Sequence, residues 1–596
     1  MERVSDYIIS KLVENGIKHI FLLTGRGILY LTDAVAKNKD IQAISTYHEQ
    51  GASYAAMAYA AASDGMSACL VSTGCAATNA VTAALCAYQD NLPIVFISGQ
   101  NILNETTRYT GVPIRTYGSQ EADIIPVVQS ITKFSAMLTK ADDVACIMEE
   151  AIYTANNGRK GPVWIDVPLD IQNARVNKEN LEHFIPEEIL SKPTLDDIHM
   201  VVEMLNSSFR PVVFIGGGVR NAGAVEILSN FVELNKIPVV FSASAADIYG
   251  TGNELSIGAV GSLGGSRAGN FTVQNADLIL AIGTKLCSQS VGRFEQFGRE
   301  AKVIVVDVDA NEHKKMGVKI DKLIISDAKE FLERLNEETI NNNYERWIDK
   351  VIHWKKVLSI KNEEYTRLCI DENKIDLYHF ADMLSEHITT DATVITDAGL
   401  EELIIPSTIR YKGNQRCLFP AAQGAMGYAI PAIIGAHYAG RNNIICVVGD
   451  GSVMMNIQEL QIISSNRIPA KIFVINNNMY SVIRKRQHDL FRSRTIGNDP
   501  SDGVPAPKFE KISVAFGIGY ERIANEQELS DNLRKILSMD GPQICEVMCV
   551  ENQQYFHMSY AINEKRKMVK RPIEDLSPFL SRELINSEMI IKPIEE

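Results

Sequence analysis

Residues 444–460, IICVVGDGSVMMNIQEL, decide the fold, together with residues 471–483, KIFVINNNMYSVI. Each stretch begins with a short apolar run that is typical of a buried strand, and each run ends in small or polar residues. The first run ends in Gly449-Asp450-Gly451 and the second in consecutive asparagines. Asp450 and Asn477 lie 27 residues apart, which fits one crossover helix and one strand. We therefore expect both side chains at the carboxyl ends of neighbouring parallel strands, where open α/β sheets bind their ligands.

These strand ends carry the residue types that bind phosphate and a metal ion. Glycines let a phosphate approach the backbone, and carboxylate and amide oxygens are the ligands that Mg²⁺ prefers. The helix that follows directs its N-terminus and Ser452 towards the same place, where an anion is favoured. A lone Gly-Asp-Gly is often only a tight turn, but two strand ends at this spacing favour a diphosphate and magnesium site.

Residues 44–51, ISTYHEQG, form a second candidate, in which Glu49 opens a helix after a predicted strand. A glutamate at this place usually does no more than interact favourably with the helix dipole. A buried carboxyl group could instead hold a proton against a ring nitrogen, because burial favours the neutral acid. The next two strand ends, STGCAATN at 72–79 and LPIVFISGQ at 92–100, favour the functional interpretation.

Together these motifs resemble the thiamine-diphosphate enzyme family, and most closely the large catalytic subunit of acetolactate synthase. The strings YHEQG at 47–51, SITK at 130–133, GPVWIDVPLD at 161–170 and GAMGY at 424–428 carry the resemblance, which extends to about residue 555. It implies that Glu49 protonates the thiamine pyrimidine ring and that Met426 holds the cofactor bent. It also implies that Asp450, Asn477 and the backbone carbonyl of Met479 bind Mg²⁺.

The fold that the resemblance implies is α/β, with three doubly wound domains built on parallel sheets. The cofactor-binding residues that it implies are Thr24, Gly25, Glu49, Thr73, Asn79, Ala398, Gly399, Gly424, Met426, Gly449, Asp450, Gly451, Ser452, Asn477, Met479 and Tyr480.

The middle of the chain resembles the FAD-binding domain of the same enzymes. In acetolactate synthases this flavin does no net redox chemistry, and some relatives keep the domain without the flavin. We expect bound FAD, with contacts from glycine-rich and acidic strand ends. These residues are Gly216, Gly217, Gly218, Gly258, Gly283, Thr284, Asp307 and Asp309.

Several positions depart from the acetolactate synthase pattern on the side of the second substrate. Gln289 stands where the family has an arginine for the acceptor's carboxylate, and Arg486 stands where it has a tryptophan. Residues 398–401, AGLE, replace a segment that normally offers Gln and His to the diphosphate. The basic residues 484–486 suit a phosphate or a nucleotide, although an exposed charged helix is the alternative. Candidate residues at the reacting face are Arg26, Gln120, Lys133, Val482 and Arg486.

The resemblance implies decarboxylation of a 2-oxo acid, with pyruvate as the expected donor, and transfer of the two-carbon unit to an acceptor carbonyl. The tail EDLSPFLSREL at 574–584 resembles carboligases of surface-polysaccharide pathways, so we expect a ketone or keto-sugar nucleotide as acceptor. The alternatives are a true acetolactate synthase of branched-chain amino acid biosynthesis, a dione C–C hydrolase, a flavin-dependent pyruvate oxidase and a catalytically silent paralogue. In this family the two halves of the cofactor site come from different subunits, which implies a homodimer or homotetramer.

A chain of 596 residues is too long for one hydrophobic core, and apolar runs alternate with helical stretches in three segments. We expect a pyrimidine-binding domain over residues 1–176 and a central FAD-binding-like domain over 192–335. A helical connector over 336–375 then leads to a diphosphate- and Mg²⁺-binding domain over 376–550. A tail over 551–596 packs over the body.

The composition excludes several other classes of protein. A net charge of −14 argues against a general nucleic-acid binder, because neutralising phosphates needs clustered Lys and Arg. The ten cysteines are scattered and lack the clusters of a zinc site, which favours buried reduced thiols. The N-terminal residues lack the pattern of a signal peptide, and no apolar stretch reaches the roughly 20 residues of a membrane span. We therefore expect a cytoplasmic enzyme without a membrane partner.

Overall fold

The computed structural model describes residues 1–187, 192–360, 373–563 and 565–594, and it contains three six-stranded sheets. Every pair of neighbouring strands in these three sheets is parallel. The α/β class with three parallel-sheet domains, predicted from the sequence, is therefore confirmed.

The N-terminal sheet has the strand order β3-β2-β4-β5-β7-β6, and β1 pairs with β8 outside it. The strands are β1 (Glu2–Arg3), β2 (His19–Leu22), β3 (Gln42–Ser45), β4 (Ser67–Val71), β5 (Ile94–Gln100), β6 (Phe134–Met137), β7 (Val163–Pro168) and β8 (Arg175–Val176). The helices around it are Val4–Glu14, Leu29–Lys37, Glu49–Ser63, Cys75–Asn79, Val81–Asp90, Thr107–Thr110, Ile125–Val128, Val144–Asn156 and Leu169–Asn173.

The central sheet has the order β11-β10-β9-β12-β13-β14. Its strands are β9 (Pro211–Ile215), β10 (Val239–Phe241), β11 (Ser256–Ala259), β12 (Leu278–Ile282), β13 (Lys302–Asp307) and β14 (Lys322–Ile325). Its helices are Leu195–Ser207, Gly218–Asn221, Val225–Asn235, Arg267–Asn275, Ser288–Val291 and Ala328–Asn336. The helix Glu345–Val357 follows in the predicted connector, of which residues 361–372 lie outside the described part of the chain.

The C-terminal sheet has the order β16-β15-β17-β18-β20-β19. Its strands are β15 (Thr393–Thr396), β16 (Arg416–Leu418), β17 (Ile444–Gly449), β18 (Ala470–Asn476), β19 (Gly519–Ile523) and β20 (Gln543–Met548). Its helices are Leu377–His387, Leu400–Thr408, Ala429–Tyr438, Asp450–Val453, Leu460–Ser465, Ser481–Leu490, Phe509–Phe516 and Leu529–Ser538. All seven residues of β18 are buried, because helices cover both faces of a parallel sheet.

Two helices of small residues join the N-terminal and C-terminal domains. Glu49–Ser63 packs against Ala429–Tyr438, and a Cβ at Gly435 would overlap the carbonyl oxygen of Ala55. The rings of Tyr54 and Tyr428 meet edge to face at 5.5 Å between centroids. The alanines and the glycine let the two backbones approach closely, and this contact fixes the two domains against each other.

The tail after residue 550 packs against the central domain. It contains the hairpin β21 (Tyr560–Ile562) and β22 (Met568–Lys570) and the helix Arg582–Glu588. The buried carboxylate of Glu574 accepts hydrogen bonds from Gln274 and Arg299, both at 2.8 Å. At the other end of the tail, Glu588 accepts from Lys350 at 2.8 Å and from the indole N–H of Trp354 at 3.0 Å. Among the described residues, the structure contains no helix that is both long enough and apolar enough to span a membrane.

Candidate cofactor site

Asp450 and Asn477 lie at the ends of the adjacent strands β17 and β18, as the spacing predicted. Both residues are buried, with 5% of each residue exposed. Asp450 Oδ2 accepts a hydrogen bond from the backbone N–H of Asn478 at 2.7 Å, and the Asn477 amide donates to Ser481 Oγ at 2.8 Å. Burial raises the pKa of Asp450 to about 6. The two side chains thus offer a carboxylate and an amide oxygen at neighbouring strand ends, a donor set that fits Mg²⁺.

Asp397 organises the turn that presents Met426. Its Oδ2 accepts from the hydroxyl of Ser452 at 2.6 Å and from the backbone N–H groups of Gly427 and Ala429 at 3.2 and 3.1 Å. Asp397 is fully buried, and burial raises its pKa to about 6. The sequence analysis did not single out this residue. Its signal was an acidic residue directly after the strand TVIT, at the same edge of the sheet as Asp450.

The predicted glycines of the diphosphate cradle occupy positions that other residues would fill badly. Gly399 and Gly424 have φ values of +104° and +56°, a region that L-residues rarely adopt. A Cβ at Gly451 would overlap the ring of Tyr480. At Gly449 a Cβ would stand 3.4 Å from the carboxylate oxygens of Glu401. Backbone conformation and close packing therefore require glycine at these strand ends, and glycine-rich strand ends are a feature that fits a diphosphate.

Glu49 lies on the N-terminal domain, at the start of the helix Glu49–Ser63. Its Oε2 accepts a hydrogen bond from the amide of Asn79 at 2.9 Å. His48 caps the helix, because its ring nitrogen Nδ1 accepts from the backbone N–H of Gln50 at 3.0 Å. Glu49 and Asn79 were both predicted site residues, and the structure brings them together.

The rest of the YHEQG motif is held by the C-terminal domain. The backbone N–H of Tyr47 donates to both oxygens of the buried Glu459, at 3.1 and 3.3 Å. Asn456 donates from its amide to Gln50 Oε1 at 3.0 Å and to the carbonyl of Gly427 at 2.8 Å. Asn456 thus links the Glu49 turn to the Met426 turn. Sequence reasoning missed Glu459 and Asn456, because nothing local indicates which residue a buried carboxylate or amide will meet.

A buried polar network supports Thr73, another predicted site residue. Thr73 donates from its hydroxyl to Gln100 Oε1 at 2.8 Å, and Gln100 donates to Asp166 Oδ2 at 3.2 Å. Asp166 also accepts from Ser98 at 2.6 Å, and burial raises its pKa to about 7. The Gln100 amide bonds the carbonyl of Ala122 as well, which ties the network to the segment that carries Gln120.

Three candidates for the reacting face lie in different environments. Gln120 has a left-handed φ of +62° and its carbonyl lies against Gly74, so its backbone is strained, a feature concentrated at functional sites. Arg26, in the short turn Arg26–Ile28 after Thr24 and Gly25, is exposed in the single chain. Lys133 points elsewhere: its ammonium group donates to the carbonyls of Thr154 and Asn157, at 2.7 Å for Asn157.

Lys133 therefore caps the C-terminus of the helix Val144–Asn156, where exposed carbonyls and the helix dipole favour a cation. Burial lowers its pKa to about 8. This structural role was not foreseen, because the SITK string indicated only a resemblance.

The candidates for the acceptor side lie near the junction with the tail. Val482 is half-buried against the core, whereas Arg486 is exposed on the helix Ser481–Leu490. Arg484 pairs with Asp499 at 3.2 Å and Lys485 with Asp489 at 3.0 Å. In the described part of the chain no carboxylate pairs with Arg486, which lies near the tail. Burial raises the pKa of Tyr555, and the positive charge of Arg486 partly offsets this rise.

A cleft of about 590 Å³ separates the central domain from its two neighbours. Its lining includes six of the eight predicted FAD residues and Gln289: Gly216, Gly217, Gly218, Gly283, Thr284, Asp307 and Gln289. Gly258 and Asp309 do not line it. Gly258 is required by its close approach to Ser266, and Asp309 forms an ion pair with Arg159 at 3.2 Å. The sequence could not separate glycines that face a ligand from glycines that let two segments pack.

Comparison with known families gives three matches along the chain. Residues 2–127 match the N-terminal TPP binding domain of thiamine pyrophosphate enzymes, residues 198–335 the central domain, and residues 397–547 the C-terminal TPP binding domain. The chain belongs to the thiamine pyrophosphate enzyme family. The resemblance on which the sequence analysis relied is thereby confirmed, and the protein is a thiamine-diphosphate-dependent enzyme.

Similar members of the family cover nearly the whole chain. The acetolactate synthase large subunit of Lactococcus lactis is 31% identical over 563 residues, which are 93% of this chain and 94% of that protein. The acetolactate synthase large subunit of Porphyra purpurea is 30% identical over 92% of both chains. The chloroplastic acetolactate synthase 3 of Brassica napus is 28% identical over 93% of this chain and 84% of its own length.

Proposed function

We propose that this enzyme decarboxylates a 2-oxo acid, with pyruvate as donor, and transfers the two-carbon unit to a ketone or keto-sugar nucleotide. The observation that carries the proposal is the pair of half-sites, Glu49 with Asn79 on one domain and Asp450 with Asn477 on another. These are the residue types that a thiamine diphosphate and Mg²⁺ complex requires. The relatives named acetolactate synthase support the same class of donor chemistry.

Bound thiamine diphosphate would supply a carbon nucleophile and an electron sink for the loss of carbon dioxide. Glu49 would share a proton with the pyrimidine ring of the bound cofactor, and Asn79 fixes the orientation of its carboxyl group. Asp450 and Asn477 would hold the metal ion, and Asp397 keeps the Met426 turn in place. Each residue thus positions a charge or a proton before the substrate arrives.

Two residues, Gln289 and Arg486, support the proposal for the acceptor. A bidentate arginine clamp suits a carboxylate, and Gln289 does not provide one. Arg486, which has no carboxylate partner among the described residues, offers its charge to an anion such as a nucleotide phosphate. This favours a phosphorylated or nucleotide-linked ketone over a second molecule of 2-oxo acid. Acetolactate synthesis, which the relatives' names favour, is the second candidate.

FAD is proposed as a bound, non-redox cofactor of the central cleft. Glycine-rich strand ends open into the cleft, and Asp307 stands at the end of β13. We further propose a homodimer or homotetramer, because exposed apolar side chains lie beside each half-site. Tyr47 is 58% exposed next to Glu49, and Met454 and Met455 are 47% and 49% exposed after Asp450. A second subunit would cover them and complete the site.

The test is release of carbon dioxide from pyruvate by the purified protein with thiamine diphosphate and Mg²⁺, with products identified by mass spectrometry. Reactions run without an acceptor, with simple ketones and with keto-sugar nucleotides. Turnover that rises sharply with a ketone acceptor supports the proposal. Acetolactate as the dominant product without added acceptor would establish the second candidate instead. Oxygen consumption with pyruvate would indicate a flavin-dependent oxidase, and cleavage of a dione would indicate a C–C hydrolase.

A further inference from the structure

Residues 555–558 of the tail contact the loop of the central domain that holds Gln289. The backbone N–H of Met558 donates to the carbonyl of Ser262 at 2.7 Å, and the N–H of Ser262 donates to the carbonyl of Gln289 at 2.7 Å. Leu263, the next residue of the same loop, forms a β-bridge with the tail. One side of this tail segment is therefore fixed to the first of the two residues proposed for the acceptor.

The other side of the segment lies against the helix Ser481–Leu490. Arg484 donates to the side-chain oxygen of Asn552 at 2.9 Å, just before the segment begins. Tyr555 is buried, and its hydroxyl faces the guanidinium group of Arg486. The segment therefore lies between the two sides of the proposed acceptor site.

His557, in the middle of this segment, carries a polar atom without a partner. Its ring is half-buried and packs against the ring of Tyr555 at 4.9 Å between centroids. The Nδ1 atom of His557 lies 3.0 Å from the carbonyl oxygen of Tyr555. Because a carbonyl can only accept, Nδ1 carries the hydrogen, and Nε2 of the neutral ring keeps its lone pair. No residue in the described part of the chain forms a hydrogen bond with Nε2.

The surroundings of His557 favour the neutral ring. Burial is the largest cause and lowers its pKa, and the positive charges of Lys485 and Arg486 lower it further. The carbonyl of Tyr555 and the carboxylate of Asp489 act in the opposite direction. A neutral ring leaves Nε2 as a hydrogen-bond acceptor, which suits a hydroxyl group rather than a carboxylate or a phosphate.

We propose that His557 accepts, at Nε2, a hydrogen bond from a hydroxyl group of the acceptor, and that this contact selects a hydroxylated ketone such as a keto-sugar. This inference rests on the proposed function and names the part of the acceptor that the protein recognises. Arg486 would bind an anionic group of the same molecule, so the two residues recognise different parts of it. Pyruvate offers only acceptor oxygens at neutral pH, so as second substrate it cannot form this hydrogen bond.

The experiment measures KM for a set of acceptors, with pyruvate as donor and the full-length protein loaded with thiamine diphosphate and Mg²⁺. The acceptors are a uridine diphosphate-linked 4-keto-hexose and its deoxy counterparts, each of which lacks one hydroxyl group. The wild-type protein is expected to show an about tenfold higher KM for one of these counterparts, the upper range for one neutral hydrogen bond.

Variants separate recognition of the hydroxyl from a structural role of the ring. His557→Leu loses the lone pair, so its KM for the full acceptor should rise about tenfold, while its KM for the sensitive deoxy counterpart should stay unchanged. His557→Gln keeps an acceptor oxygen near the place of Nε2 and should restore most of the affinity. The KM for pyruvate should not change in either variant. His488→Leu is the matched control, because both ring nitrogens of His488 already have partners, Asp489 and Ser493.

Three outcomes would overturn the inference. One is an equal rise of KM for all acceptors in His557→Leu, which would indicate a structural role. Another is a wild-type protein with the same KM for the full acceptor and for every deoxy counterpart. The third is turnover with simple ketones but with none of the sugar nucleotides, which would leave the donor chemistry of the proposed function intact. Acetolactate as the dominant product without added acceptor would overturn the proposed acceptor as well.

Discussion

The cofactor half-sites and the acceptor side of this enzyme differ in how firmly the protein holds their polar groups. Glu49, Asp450 and Asn477 each have a hydrogen-bond partner between 2.7 and 2.9 Å away. Arg26 and Arg486 on the acceptor side are exposed in the single chain. The groups proposed for proton transfer and metal binding are thus held in place by hydrogen bonds. Both kinds of chemistry need a preset geometry. The residues proposed for the acceptor are exposed, so they can change without disturbing the core.

The substitution expected to have the largest effect is Glu49→Gln, in the cofactor half-site of the N-terminal domain. The amide cannot supply the proton that the pyrimidine ring requires, so turnover is expected to fall by about 100-fold or more, the usual range for loss of a general acid–base group. Carbon dioxide release from pyruvate measures the effect. Glu14→Gln, on an exposed part of the first helix, is the control. Full turnover in Glu49→Gln would contradict the central assignment.

Asp397→Ala tests whether a residue behind the site fixes the Met426 turn. It leaves the backbone N–H of Ala429 and the Ser452 hydroxyl without their acceptor, whereas the N–H of Gly427 keeps Ser452 Oγ as an acceptor at 2.8 Å. Stranded buried donors cost about 1–3 kcal/mol each, so we expect a loss of about 3 kcal/mol in total. Thermal and urea unfolding report it. Asp397→Asn keeps one acceptor oxygen and should lose clearly less; equal losses would contradict the role of the hydrogen bonds.

Gly51→Ala tests the contact between the Glu49 turn and the C-terminal domain. The new methyl group would overlap the carboxylate of Glu459, which also holds the backbone N–H of Tyr47. Overpacking of this kind costs about 1–3 kcal/mol, so the thermal midpoint should fall by a few degrees. Gly317→Ala is the matched control, because a Cβ there meets nothing closer than 3.9 Å. Equal thermal midpoints for the two variants would show that the Glu459 side chain moves aside without loss of stability.

Arg486→Ala tests the proposed acceptor side and is expected to have the smallest effect. Losing one exposed charge–phosphate contact should raise the KM for a nucleotide-linked acceptor about tenfold, which corresponds to about 1.4 kcal/mol. The change should fall on the acceptor's KM rather than on that for pyruvate. Arg484→Ala is the control, since Arg484 already pairs with Asp499. Equal effects in the two variants would indicate a general charge effect of the helix.

Much of the fold and part of the site follow from local patterns. Buried apolar runs that end in Gly-Asp-Gly and Asn-Asn predict adjacent parallel strands, since the strand period and the crossover length leave little choice. Glu49 and Asn79 follow from the resemblance, and the structure pairs them. Asn456, Glu459 and Asp397 were not predictable, because their partners lie in other segments of the chain. Lys133 was misjudged as a candidate for the reacting face for the same reason: two carbonyls at a helix end, 21 and 24 residues away, occupy its ammonium group.

The sequence by itself determined the three parallel sheets, the family and the residue types that meet a diphosphate and a metal ion. Hydrophobic periodicity and the residue types at strand ends are local features, so a short stretch of consecutive residues reveals them. Only the tertiary structure decided which glycines face the central cleft and which, like Gly258, serve packing. It also decided that Glu401 is buried and lies near Asp397 and Asp450. Burial and the charges around a group depend on segments far apart in the chain, and these quantities set the protonation of a carboxyl group.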